Sequence, residues 1–257
     1  MTEKKFPMEG VDGRVIAPGD ANSLTGANQQ ANGTWSFAAD AALEGGTGLK
    51  AIVASATTTI SRFTPSASNV QMSIGTAMRI DQLPTKTFHA FASLRNSGGP
   101  AMRVLLGADG RLALRGSGTS APEVAATGTL TPTKMYWMSL IASATAGTAS
   151  LRFYEASTRA LAASIEATAG ALSFNGTGVF SALDLGWINS DPNTGHVCAF
   201  DSLVIDDGST AEKKPASWSA PASLVGSMYD GSAVQPGAFR TYDGSGLQEL
   251  ASVSVAP

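Results

Sequence analysis

Short runs in which every second residue is apolar recur along most of this chain, each cut off by Gly, Pro, Asn or Asp. This pattern constrains the fold more than any other feature. In "NVQMSIGTAMRI", Val70, Met72 and Ile74 fall on one face; in "TWSFAAD", Trp35, Phe37 and Ala39 do the same. A repeat of two is the side-chain alternation of a strand, whereas an amphipathic helix repeats at 3.6. "TFHAFASLRN" sets Phe88, Ala90 and Ala92 against His89, Phe91 and Ser93. Only "ALAASIEATAGAL" (160–172) is rich in helix formers, and its bulky apolar spacing is weak enough that a strand reading competes. The clearest local signal is "MRVLLGADGRLALRG", two apolar runs around Asp109-Gly110, a pair suited to the positive φ of a tight hairpin turn. About a dozen strands with turn signals every 8–15 residues or so, and no helical layer, predict an all-β two-sheet sandwich.

Composition narrows the setting. Charged residues are 14% of 257, well below the roughly 25% of ordinary soluble domains, so Ala, Gly, Ser, Thr and Asn must build much of the surface. Net charge is −3, and the basic residues are scattered apart from Lys4-Lys5 and Lys213-Lys214. A nucleic-acid partner would need a clustered basic footprint, so none is expected. The single cysteine, Cys198, excludes an internal disulfide and reads as a small buried apolar residue. "MTEKKFPMEGVDGRV" lacks a signal peptide's apolar stretch, and runs such as "MYWMSLIASA" are too short to span a bilayer. A chain assembled in a reducing host cytoplasm, with no membrane insertion, is the expectation.

The order of segments carries a resemblance. A Trp/Phe strand is followed by the "VLLGADGRLALRG" hairpin, "MYWMSLIASA", "ASLRFYEASTRAL", "LDLGWINS" and the closing "GHVCAFDSLVIDDG". Over residues 31–208 this resembles the laminin-G-like, concanavalin-A-like lectin jelly roll. Leu185-Gly186 stands where that family's penultimate strand ends, and Asp201-Ser202-Leu203-Val204-Ile205 stands for its last strand. The resemblance implies an antiparallel jelly-roll sandwich over 31–208, with an extended N-terminal arm at 1–30, a Pro/Ala/Ser linker at 209–227 and a C-terminal β-turn tail at 228–257. In that tail Tyr229-Asp230-Gly231-Ser232 returns as Tyr242-Asp243-Gly244-Ser245. Tails of this kind after a jelly roll resemble those of tailed-phage virion proteins, minor tail proteins and capsid decoration proteins among them.

Catalytic constellations are scarce. Retaining glucanases of this superfamily use paired carboxylates in a Glu-x-Asp-x-Glu strand about 5–5.5 Å apart; here Glu123, Glu155 and Glu166 stand alone. His89 and His196 with one distant Cys do not assemble a zinc site, and neither a Gly-x-Ser-x-Gly elbow nor a P-loop is present. His89 reads as a satisfied strand residue. The Asn-Gly-Thr sequons at Asn32 and Asn175 read as turns. No cofactor is expected. The one weak metal candidate is a calcium site at Asp201, Asp206 and Asp207, against the preferred reading of a turn ending a strand. For a glycan, Trp187 beside Asn189, Asp191 and Asn193 offers a stacking face with hydrogen-bonding neighbours, although Trp187 also suits the sandwich rim. Trp35 and Trp137 read as core.

The two ends hold too few apolar residues to order themselves. Docking on neighbouring subunits is therefore expected through Phe6, Trp218, Tyr229, Phe239, Tyr242 and Leu250. The functional expectation is a non-enzymatic virion structural protein, a homo-oligomer partnered by other capsid or tail subunits, with weak adhesion to a host-surface glycan. A carbohydrate-binding lectin-like module is the alternative, and a degenerate glycoside hydrolase a more distant one.

Overall fold

The alternating runs become strands, and in chain order they are β1 (Thr2–Phe6), β2 (Gln29–Ala31), β3 (Thr34–Ala38), β4 (Gly48–Ile52), β5 (Thr59–Phe63), β6 (Gln71–Ile80), β7 (His89–Asn96), β8 (Gly99–Leu106), β9 (Arg111–Arg115), β10 (Glu123–Thr129), β11 (Met135–Ser143), β12 (Thr148–Glu155), β13 (Leu161–Ala167), β14 (Ala182–Trp187), β15 (Val197–Asp207), β16 (Arg240–Tyr242) and β17 (Leu247–Glu249). The computed structural model describes residues 2–6, 8–17, 25, 27, 29–31, 33–43, 46–53, 59–85, 88–97, 99–117, 123–172, 174, 178–188, 195–218, 240–242 and 247–249. The chain forms two compact units, 1–215 and 216–257.

In the first unit one antiparallel sheet runs β2-β5-β14-β7-β8-β9-β10-β13-β12-β11-β6-β15-β4-β3, with β1 on β15. The expected sandwich is thus one curled sheet whose path doubles back at β10. That strand pairs with β9 and, through Thr127 and Gly128, with β13. Gly128 makes the corner possible: its φ is 89°, and a Cβ there would lie 2.1 Å from the Ala162 carbonyl oxygen. The two walls meet across a core drawn from both. Phe91 of β7 faces Phe153 of β12 with ring centroids 6.2 Å apart. The β8–β9 hairpin forms around Asp109-Gly110, with Gly110 at φ 80°. Residues 161–167 resolve the helix–strand ambiguity as strand β13, because Ala163, Ile165 and Ala167 face the core.

Two expectations about the ends need correction. The first seventeen residues are no free arm. β15 has eleven residues, and β4 pairs only with Val197–Phe200, so the rest of that edge would be open. β1 fills it, pairing Thr2–Phe6 with Asp207–Leu203. Phe6 is 3% exposed and packs edge-on against Phe63 at 5.1 Å, and Met8 and Ile16 are buried with it. The anchor expected to reach a neighbour reaches the protein's own core.

The jelly roll also does not stop at 208. Residues 209–215 lie across the outer face of the second wall. Ser73 donates to the Ala211 carbonyl (2.5 Å), Trp137 Nε1 to the Lys213 carbonyl (2.7 Å), and the Tyr154 hydroxyl to Glu212 (2.7 Å). Trp137 is fully buried, but beneath this strap and outside the main core. Gly75 lets it seat: a Cβ there would meet Trp137 Cζ2 at 2.5 Å and Lys213 Cβ at 2.8 Å.

In the second unit, 216–218 form a 3-10 turn, and β16 pairs with β17. The second Tyr-Asp-Gly-Ser phrase thus begins on a strand of a small hairpin. Tyr229, Phe239 and Leu250 and the side chain of Tyr242 lie outside the described residues, and Trp218 is half-buried.

Candidate functional site

On β14 the apolar residues Leu183, Leu185 and Trp187 share the core face. Trp187 is therefore 2% exposed, not a stacking platform, and its two ring neighbours are the chain's two histidines. His89 lies 6.3 Å away and His196 6.1 Å, both edge-on. Burial, then the proximity of His89, lowers the His196 pKa, and His196 Nδ1 is buried with no hydrogen-bond partner. Asn189, Asp191 and Asn193 lie outside the described residues.

The three aspartates of the calcium candidate have separate duties. Asp201 accepts from the Leu43 and Ser202 amides and braces a bulge where Ser202 has φ 54°. Asp206 pairs with Lys213, and Asp207 accepts from the Thr2 and Ala67 amides. Among the described residues no group of three or more His, Cys, Asp or Glu side chains could hold a metal ion. Glu155 pairs with Lys134 and Glu166 with Arg152; the side chain of Glu123 is outside the described residues. Cys198 is fully buried, and burial pushes its thiol up to about 12, which makes it an inert core residue.

The feature that the linear reading missed is the outer face of the first wall. Strand alternation turns Phe63, Leu94, Val104, Leu114 and Leu183 to the core. Their neighbours then point outward in one register row, Arg62–Asp184–Ser93–Arg103–Arg115, across β5, β14, β7, β8 and β9. Four strand spacings of about 4.8 Å give this row a span of roughly 19 Å. Asp184 is fully buried and doubly held. Arg62 grips it side-on (Nε–Oδ1 2.6 Å, Nη2–Oδ2 3.1 Å), and Arg95 adds Nη1–Oδ2 at 3.3 Å. Both arginine side chains stay 25% exposed.

Arg103 has no such match. Its Nε is buried with no hydrogen-bond partner. Burial, then the charges of Arg115 and Arg95, lowers its pKa. Beside this charged row runs an apolar one. Ala90, Leu105 and Ala113 stand opposite one another on β7, β8 and β9, all buried, with Phe88 and Ile188 packed against them. The face is thus a pair of parallel rails: arginines with one neutralised carboxylate, and small aliphatic side chains edged by a phenyl ring. For glycoside hydrolysis this face lacks a second carboxylate among the described residues.

One sequence signal could have found half of it. A hairpin centred on Asp109 sets Arg103 opposite Arg115, the register observed. The Arg62–Asp184 pair joins residues far apart in sequence and had no local signal.

No protein-family model and no curated protein sequence matches the chain. Among solved structures, the cellulose-induced protein Cip1 is similar with TM-score 0.51 and 14% identity, over 70% of this chain and 88% of that one. An alginate lyase of Pseudomonas aeruginosa aligns at TM-score 0.46 and 13% identity over 66% and 85%. A Trypanosoma rangeli sialidase aligns at 0.47 and 15% over 78% of this chain, which spans only 30% of that protein's length. Another sialidase is matched over 16% of its length. At these identities the likeness to Cip1 is one of fold: an all-β, concanavalin-A-like jelly roll with a strongly curled antiparallel sheet.

Proposed function

We propose that this chain is a non-enzymatic structural component of a tailed-phage virion, a minor tail or capsid decoration protein assembled in the host cytoplasm. In this reading the curled sheet works as a laminin-G-like two-sheet sandwich. It is displayed outward for adhesion to a host-surface glycan, while the C-terminal unit docks on neighbouring virion subunits and on copies of itself. The carrying observation is the division at residue 215. The described strands before it all join one sheet around one core, and the N-terminal strand and the strap over Trp137 pack onto it. The second unit shows only a 3-10 turn and two three-residue strands among its described residues. Hairpins this short are marginal alone and suit strand addition to a partner's sheet edge.

The test is removal of residues 216–257, with co-expression of the other virion proteins. The shortened protein should keep the thermal unfolding midpoint of the jelly roll and be absent from purified particles. Incorporation at the level of the full chain would overturn the anchoring role.

A second reading, a lectin-like carbohydrate-binding module outside any virion, is favoured by the partly exposed arginines of the first wall, Arg62 and Arg95.

A further inference from the structure

We propose that the ring cluster of Trp187, His89 and His196 is an acid-operated latch: when His196 takes up a proton, the two walls part at the end that the cluster closes, and the last bonds between β15 and β4 come loose. This device does not rest on the virion reading.

Strand ends from both walls meet at these rings. His89 opens β7 and Trp187 ends β14, both on the first wall, whereas His196 directly precedes β15 on the second. His89 stands opposite Leu106, a core residue, so its ring turns inward as Trp187 does. The ladders also end here. Ile188 donates to the Ala90 carbonyl (2.9 Å) and closes β14 on β7. Val53 donates to the His196 carbonyl (3.0 Å) and accepts from the Gly195 amide (2.7 Å), one residue beyond the register that pairs Ile52 with Val197. Asp81 donates to the Val197 carbonyl (3.1 Å) where β6 ends. Through His196 the second wall rests on Trp187 of the first.

A neutral imidazole suits this place and an imidazolium does not. In the neutral ring one nitrogen donates and the other accepts; in the charged ring both must donate. His196 is 8% exposed, and its buried Nδ1 has no hydrogen-bond partner. Trp187 Nε1, also buried and unbonded, is a donor and can accept nothing. The charged groups of the surrounding elements are engaged elsewhere or add like charge. His89 on β7 repels a second imidazolium. Asp184 of β14 is held by Arg62 and Arg95, Lys50 of β4 by Asp40, and Asp81 after β6 by Arg79. On β15 Cys198 is a neutral thiol, and Asp201 accepts from the Leu43 and Ser202 amides. Asp191 lies outside the described residues. A proton on His196 therefore brings a desolvated charge and an unmet N–H, and moving the ring towards water relieves both. Burial, then His89, lowers the His196 pKa from 6.5, so closure holds above that value and is lost as pH falls below it.

The experiment uses the full chain and amide hydrogen exchange, read residue by residue by NMR as protection factors at about pH 7.5 and about pH 5. Protection of the Val53 and Gly195 amides should fall about tenfold or more in acid, while Leu140 and Leu151, in the middle of the second wall, keep theirs. The His196 imidazole should titrate below 6.5, with the same midpoint as the loss of protection. His196→Gln should abolish the acid response. His89→Gln removes the like charge and leaves His196 in place, so it should move the response to higher pH; it reads the same latch should His196→Gln fail to fold. Asp191→Asn should change nothing. Unchanged protection of Val53 and Gly195 in acid would overturn the latch. So would an equal fall in folded His196→Gln, or a response abolished by Asp191→Asn. An equal fall at Leu140 and Leu151 would also overturn it, because the whole chain would then be unfolding rather than one end opening.

Discussion

The two outer faces of the curled sheet are built from the same alternating strands, yet they treat positive charge in opposite ways. On the second wall three half-buried cations meet carboxylates. Arg79 bonds Asp81 and Asp40, Arg152 bonds Glu166 and Glu212, and Lys213 bonds Asp206 and Glu3. The pKa values of all three are raised: burial works against the charge, and the carboxylate partners outweigh it. On the first wall Arg103 is lowered, because burial and its neighbouring arginines act together. One face is closed by the chain's own strap, and burial with its bond to Glu212 pushes the Tyr154 hydroxyl up to about 12 beneath it. The other leaves Arg103 Nε buried without a hydrogen-bond partner. A protein tolerates such a cost where the surface has work to do.

The largest test of this contrast is to open the closed face. Trp137→Ala removes a fully buried indole and its bond to the strap, and should cost about 3–5 kcal/mol in urea unfolding. Ending the chain at 208 should cost nearly as much, while ending it at 215 should cost almost nothing. Gly75→Ala should fall between, at about 1–3 kcal/mol, since its methyl group would displace the ring or the strap. If the 208 and 215 truncations unfold alike, the strap is ornamental and the two faces are not distinguished by closure.

Next comes the carboxylate of the first wall. Asp184→Asn leaves Arg62 and Arg95 partly buried without their counter-charge, and should lose about 3 kcal/mol. Its counterpart on the closed wall, Glu166→Gln, removes a 58% exposed partner and should lose less than about 1 kcal/mol. Equal losses would mean that Asp184 is no more than a surface ion pair.

How much of this was legible depended on how far apart the partners lie. Alternation was enough for β6, β11 and the β8–β9 hairpin, because each core face is written in consecutive residues. It misplaced Trp187: Leu183 and Leu185 already marked the face it would share, but the polar loop after it suggested a rim. It also misjudged Phe6, since nothing in residues 1–30 reveals that β15 outruns β4 and leaves an edge to be filled. Strap contacts such as Trp137 to Lys213 and the Arg62–Asp184 pair join residues 76 and 122 apart, beyond any local pattern.

A smaller effect of opposite sign follows for Arg103. If the cation is uncompensated, Arg103→Leu should raise the unfolding free energy by about 1 kcal/mol, while the same change at Arg152 should lower it slightly. Destabilisation by Arg103→Leu in chemical denaturation would show that the guanidinium is already satisfied, and the contrast between the faces would be lost.

The least effect is a pH dependence that belongs to neither face. The His196 pKa is lowered from 6.5 by burial, then by His89, so the folded chain binds fewer protons there than the unfolded chain. Its contribution to stability is fully present above 6.5 and is lost as pH falls below that value towards the folded pKa. The depressed carboxylates Asp40 and Glu155 act lower, because their stabilisation persists above ordinary carboxylate pKa values and fades only in acid. Unfolding midpoints between about pH 5 and 6.5 should therefore decline in the full chain and flatten in His196→Gln. A slope that survives the substitution would show that His196 is not its source and would point to the depressed carboxylates Asp40 and Glu155 as the next groups to replace.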